Sequence, residues 1–124
     1  MRYLPFAALL LAVPAGPAAA QSPELEKACI SVAQNFLLAP SIKTGVVQSF
    51  PELEPPGARM TYSTREDAKP SDFSNEIECE FSSTAAPLNL TRFCISDVCY
   101  SENEQEQENR RRYLEVKALM DRQQ

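Results

Sequence analysis

No histidine occurs anywhere in the 124 residues. That absence excludes Ser-His and Cys-His nucleophile systems, which need imidazole as the base. It also removes a common zinc ligand. A metal site needs three or four convergent donors, and the thiols nearest in sequence, Cys94 and Cys99, have their two companions far away at Cys29 and Cys79. Neither a metal nor a cofactor is expected. Glycine is scarce, three residues in all, and none builds a phosphate-cradling loop. Beyond the first twenty residues no run is apolar enough to span a bilayer.

What is present begins with "MRYLPFAALLLAVPAGPAAAQS". Arg2 precedes an apolar run from Leu4 to Val13. Pro14, Gly16 and Pro17 then break any helix, and Ala18, Ala19 and Ala20 form an A-x-A pattern before Gln21. Those are the three parts of a secretory leader over residues 1–20, cleaved on export. The run is too short for a membrane anchor, which must cross about 30 Å of hydrocarbon. Export implies a periplasmic or secreted location.

Removing the leader leaves 104 residues, the size of one domain. Losing Arg2 leaves 11 basic against 17 acidic residues, a net charge of −6. Phosphate backbones and anionic lipid surfaces repel such a domain, so nucleic acid and membrane are discounted as partners. A protein partner remains.

In "SPELEKACISVAQNFLLAP", Ser22 suits an N-cap, Pro23 the first helical position, and Glu24 and Glu26 the positive end of the helix. Leu25, Ala28, Cys29, Val32, Ala33 and Phe36 recur at helical spacing, and Pro40 ends the helix at Leu38 or Ala39. The next stretch is mostly irregular, with Val46 to Phe50 as a short edge strand at most. "ARMTYSTRE" reads as a strand with Met60, Tyr62 and Thr64 on one face and Arg59, Thr61, Ser63 and Arg65 on the other. In "NEIECEFSS", Ile77, Cys79 and Phe81 alternate with Glu76, Glu78 and Glu80; a one-residue slip would bury three carboxylates, so Cys79 faces the core. "LNLTRFCISDVCY" supplies the third strand. Leu88 and Leu90 are out of phase with Phe93 and Ile95, which calls for a bulge near Thr91.

An even number of cysteines in a small exported domain points to disulfides. If Ser96 and Asp97 turn the chain, Cys94 stands opposite Cys99 in a non-hydrogen-bonded pair, at about the separation a disulfide needs. Ser-Asp is a poor turn sequence, and one continuous strand would send the two thiols to opposite faces. Cys29 and Cys79 both face inward; pairing them closes a loop worth roughly 4 kcal/mol, against roughly 2 kcal/mol for the short one. The competing connectivity is Cys29–Cys99 with Cys79–Cys94. A redox role for Cys94 and Cys99 lacks C-x-x-C spacing and has glutamates nearby that disfavour a thiolate.

In "SENEQEQENRRRYLEVKALMDRQQ", Ser101 and Glu104 have capping-box spacing. Glu106–Arg110 and Glu108–Arg112 are i,i+4 pairs worth roughly 0.2–0.5 kcal/mol each, and they account for the Arg110–Arg112 run. Tyr113, Val116, Leu119 and Met120 gather on one face, which either docks on its own domain or meets a partner. The acidic strand residues read as a solvated face rather than an acid/base set. "NLT" at Asn89 matches a glycosylation triplet, relevant only in a eukaryotic secretory path.

The segments "ACISVAQNFLLAPS", "YSTREDA" and "IECEF", within about residues 27–95, resemble a loose class of uncharacterised small exported bacterial domains. That resemblance implies a helix leading into a three-stranded antiparallel sheet, and it carries over no catalytic or binding residue. The expectation is an α+β fold. An N-terminal helix packs on a three-stranded antiparallel sheet over residues 21–100, a charged C-terminal helix follows over 101–124, and disulfides staple the whole. The expected function is that of an exported, non-catalytic module that binds a protein or serves structurally. The alternatives are a thiol-disulfide oxidoreductase using Cys94 and Cys99, and an inhibitor of a secreted hydrolase inserting the proline-bracketed "FPELEPPG" loop.

Overall fold

A computed structural model describes residues 21–124; the leader assigned to residues 1–20 lies outside the described residues. Helix α1 spans Pro23–Leu37, and the Ser22 hydroxyl caps it by accepting from the Leu25 N–H. Its apolar stripe buries Leu25, Cys29, Val32 and Ala33. The helix ends at Leu37, just short of the expected Leu38 or Ala39, because Leu38 caps it in a left-handed conformation (φ 52°).

Five antiparallel strands follow as a meander: β1 Lys43–Phe50, β2 Gly57–Ser63, β3 Asn75–Phe81, β4 Leu90–Ile95 and β5 Val98–Ser101, in spatial order β1-β2-β3-β4-β5. The expected three-stranded sheet is therefore wrong, and both outer strands are the reason. In β1 the pairing Thr44↔Tyr62 jumps to Val47↔Met60, so one extra residue bulges from the edge strand and breaks its alternation. Only Ser49 of that strand is buried, and no amphipathic signal was there to read. The missing β5 has another cause. "LNLTRFCISDVCY" is two strands rather than one, because Ser96 takes a positive φ (53°) and turns the chain with Asp97.

The Thr91 bulge is present: Glu80 pairs with Arg92 while Phe81 pairs with Leu90. Leu90 and Phe93 can then both face the core, and the Thr91 hydroxyl donates to the Glu80 carbonyl. On β2 and β3, Ala58, Met60, Tyr62, Ile77, Cys79 and Phe81 are buried in alternation.

Helix α2 spans Gln107–Gln123, starting six residues later than the Ser101 signal. Ser101 belongs to β5. Its hydroxyl donates to Glu104 Oε1 at 2.9 Å and accepts from the Asn103 N–H, closing a turn rather than capping a helix. Both helices cover the same sheet face, α1 over β1 to β3 and α2 over β4 and β5. They meet where Asn35 and Gln123 exchange amide hydrogen bonds and Arg112 stacks 4.1 Å above the Phe36 ring. The sulfurs pair as Cys29–Cys79, joining α1 to β3, and Cys94–Cys99, joining β4 to β5.

Candidate functional site

Among the described residues, the side chains that line the covered face of the sheet are packed into the core. Tyr113, Val116 and Met120 are buried in the core; Tyr113 is 3 % exposed, and its hydroxyl donates to the Leu90 carbonyl at 2.6 Å. Leu119 is half-buried beside α1. Of the two destinations open to this apolar patch, the structure takes the one on its own domain. Burial raises the Tyr113 pKa above the ordinary tyrosine value, with Glu102 and Asp121 adding to it, and burial alone raises that of Tyr62.

The arginine run also differs from expectation, because α2 begins only at Gln107. Arg110 donates to the carbonyls of Glu104 and Gln105 in the preceding turn, and Arg112 lies against Phe36. Among the described residues the i,i+4 bridges of α2 are Arg111–Glu115 and Lys117–Asp121, not the Glu106–Arg110 and Glu108–Arg112 pairs.

The opposite sheet face looks outward. Strand registers align Gln48, Arg59, Glu78, Cys94 and Cys99 in one transverse row across all five strands. Arg59 is the hub of this row. Its guanidinium donates to Gln48 Oε1 at 2.9 Å and lies within 3.7 Å of Glu76 and 3.9 Å of Glu78. Arg92 bridges to Glu104 at 3.5 Å. The sequence displayed the polar alternation but not this row, since cross-strand neighbours follow from register and the β1 register was not legible.

At one end of that face stands the "FPELEPPG" loop between β1 and β2. Phe50, Leu53, Pro55, Gly57, Arg59 and Glu78 are among the residues bordering an open cleft of about 260 Å³. The Arg59 guanidinium lies 5.8 Å from the centre of the Phe50 ring. The Pro56 carbonyl accepts from the Phe81 N–H at 2.9 Å, tying the loop to β3. Gly57 is required here, because a Cβ would collide with the Cys79 carbonyl oxygen of the adjacent strand. Leu53 projects at the tip, 59 % exposed, between the exposed Glu52 and Glu54. The result is a braced turn that holds an apolar side chain out to solvent beside a half-exposed cation.

Among the described residues no cluster of three metal-ligating side chains forms, and no helix is long and apolar enough to cross a membrane. All four cysteines are paired, and two closed disulfides fit an oxidising compartment. No protein-family model matches the chain, and neither a curated protein nor a solved structure matches it.

Proposed function

We propose that the chain is a small exported protein, periplasmic or secreted, that performs no catalysis and binds another protein. Its contact surface is the Phe50–Gly57 loop together with the outer sheet face beside it. The observation that carries this reading is Leu53. A large apolar side chain stands exposed at the tip of a turn that carries three prolines and is tied to β3 by a backbone hydrogen bond. A braced loop loses little conformational freedom on binding, which is the main cost of docking through a loop. The apolar stripe of α2 is the weaker choice because its side chains already fill the core. The leader pattern and the two disulfides support export, and the lack of histidine together with Arg59 being shared between two carboxylates supports a non-catalytic role.

A second reading follows from the same loop. An exposed Leu53 on a proline-bracketed turn suits insertion into the apolar subsite of a secreted hydrolase, which makes inhibition one form of the proposed binding. The test is capture of partners from the exported fraction with three baits: the native chain, Leu53→Asp, and Leu114→Asp on the exposed side of α2. A band lost with Leu53→Asp and kept with Leu114→Asp supports the loop. A band that survives Leu53→Asp and disappears with Leu114→Asp refutes it. Reduced activity of a captured hydrolase would establish the inhibitory form.

A further inference from the structure

We infer that the Cys94–Cys99 bridge is a reversible thiol-exchange site that favours neutral or cationic thiols, while the Cys29–Cys79 bridge stays closed in the same folded molecule. This inference does not depend on the protein-binding reading.

The two bridges occupy opposite environments. Cys29 and Cys79 are each 1 % exposed, packed between α1 and the inner face of the sheet, where no thiolate reaches them without unfolding. Cys94 and Cys99 are partly exposed on the outer face, next to an exposed Ser96–Asp97 turn. An attacking thiolate can approach there, and access is the first requirement of exchange.

The hairpin is held by more than its sulfurs. Tyr100 of β5 stacks on Phe93 of β4, with ring centres 4.9 Å apart, and Phe36 of α1 closes on both rings. The Ser96 N–H donates to the Glu76 carbonyl, pinning the turn to β3. Opening the bridge therefore leaves Cys94 and Cys99 opposite each other, with Cα atoms 4.0 Å apart, ready to close again.

The chemistry balances with a dithiol as reductant. Its thiolate attacks one sulfur of the bridge, the other leaves as a thiolate and takes up a proton, and a mixed disulfide forms. The second thiol of the reductant then attacks the mixed disulfide and releases the remaining cysteine. The dithiol is oxidised to its disulfide, and two electrons and two protons end on Cys94 and Cys99.

Charge sets the preference. Glu78 is the direct neighbour of Cys94 across β3, Glu76 and Glu80 flank it on the same face, and Asp97 sits in the turn. The nearby cations are Arg59, shared between Glu76 and Glu78, and Arg92, bridged to Glu104. The surroundings are net acidic and repel an anionic thiolate reagent. A natural exchange partner would carry its thiol among basic residues.

The experiment uses the folded, fully oxidised chain. It is treated with dithiothreitol without denaturant, alkylated with iodoacetamide and mapped by mass spectrometry. Adducts on Cys94 and Cys99, with Cys29–Cys79 intact and the circular dichroism unchanged, are the expected result. Equal alkylation of all four cysteines, or none before denaturant is added, overturns the proposal. In a second arm, 2-aminoethanethiol and 2-mercaptoethanesulfonate are compared per thiolate, each rate divided by that of the same thiol on an uncharged small-molecule disulfide, which cancels their different intrinsic nucleophilicity. The aminothiol should be faster by about threefold or more at low salt, with the ratio falling toward one at about 0.5 M salt and in Glu78→Gln. A ratio of one or below at low salt refutes the preference.

Discussion

Replacing Cys29 and Cys79 together by alanine should cost far more stability than replacing Cys94 and Cys99. The core bridge spans a sequence separation of 50 and the hairpin bridge one of 5. In the chain-entropy treatment those loops correspond to about 4 kcal/mol and about 2 kcal/mol. Burial widens the gap. Both core sulfurs are within the packed cluster of Leu25, Val32, Ile77 and Phe81, and truncation to alanine leaves a void among them. The hairpin sulfurs sit on the outer face, where solvent fills the space. A domain of this size has about 5–15 kcal/mol in total, so the core double variant should be marginal or unfolded at room temperature. Urea unfolding followed by circular dichroism reads both variants against the native chain. Equal losses, or a larger loss for C94A/C99A, would refute the division into a core staple and a peripheral one.

Tyr113→Phe removes the hydroxyl that ties α2 to β4 and leaves the Leu90 carbonyl without its donor; a loss of about 1–3 kcal/mol is expected in the same urea experiment. Leu53→Asp should change stability by no more than about 0.5 kcal/mol, since the side chain is exposed, so its effect on partner capture can be read apart from folding. Gly57→Ala should be strongly destabilising, because the added Cβ meets backbone rather than a movable side chain, and a melting temperature near that of the native chain would contradict the packing. Burial raises the pKa of both Tyr62 and Tyr113 in the folded state, so the unfolded chain loses these protons first as pH rises. The contribution of these two groups to stability is fully present below the unfolded tyrosine pKa of about 10 and is lost above it, so midpoints measured between pH 8 and 11 should fall at the upper end, less so in Tyr113→Phe.

How much of the fold was legible depended on how each element buries its side chains. Helix α1 carries its cap, its proline and its stripe in one continuous segment, and its start agrees with them. Strand β3 alternates from Ile77 to Phe81 and β2 from Ala58 to Tyr62, so those inward residues could be assigned individually, while Ser63 at the end of β2 is buried against the pattern. Even the Thr91 bulge left a trace, as two apolar pairs of opposite phase. The edge strands were harder. The β1 bulge places Val46 62 % exposed next to the half-buried Val47, a pattern that matches neither helix nor strand. The Ser101–Glu104 pair shows that a local signal can be satisfied in a second way: the spacing that suits a capping box closed a turn at the sheet edge. The candidate site was legible only in part. Its loop is marked by proline, but the row from Gln48 to Cys99 depends on four registers at once.

The stripe on α2 shows why function was harder to read than fold. Tyr113, Val116 and Met120 have the same spacing whether they fill a partner's groove or their own core. What decides between the two is the area offered by the rest of the domain, and a three-stranded sheet offers little beyond what α1 covers. The addition of β5 changes that balance. With β4 it extends the inner face past α1 and supplies Tyr100 and Phe93, against which Phe36 and the second helix complete the packing. The strand left out of the expected three-stranded sheet, although the Ser96–Asp97 turn offered it, is thus the one that gives α2 a place to dock. Once α2 is docked its apolar stripe is spent, so the binding proposed above falls to the other side of the sheet, where Leu53 projects at one end and Arg59 and Glu78 are exposed.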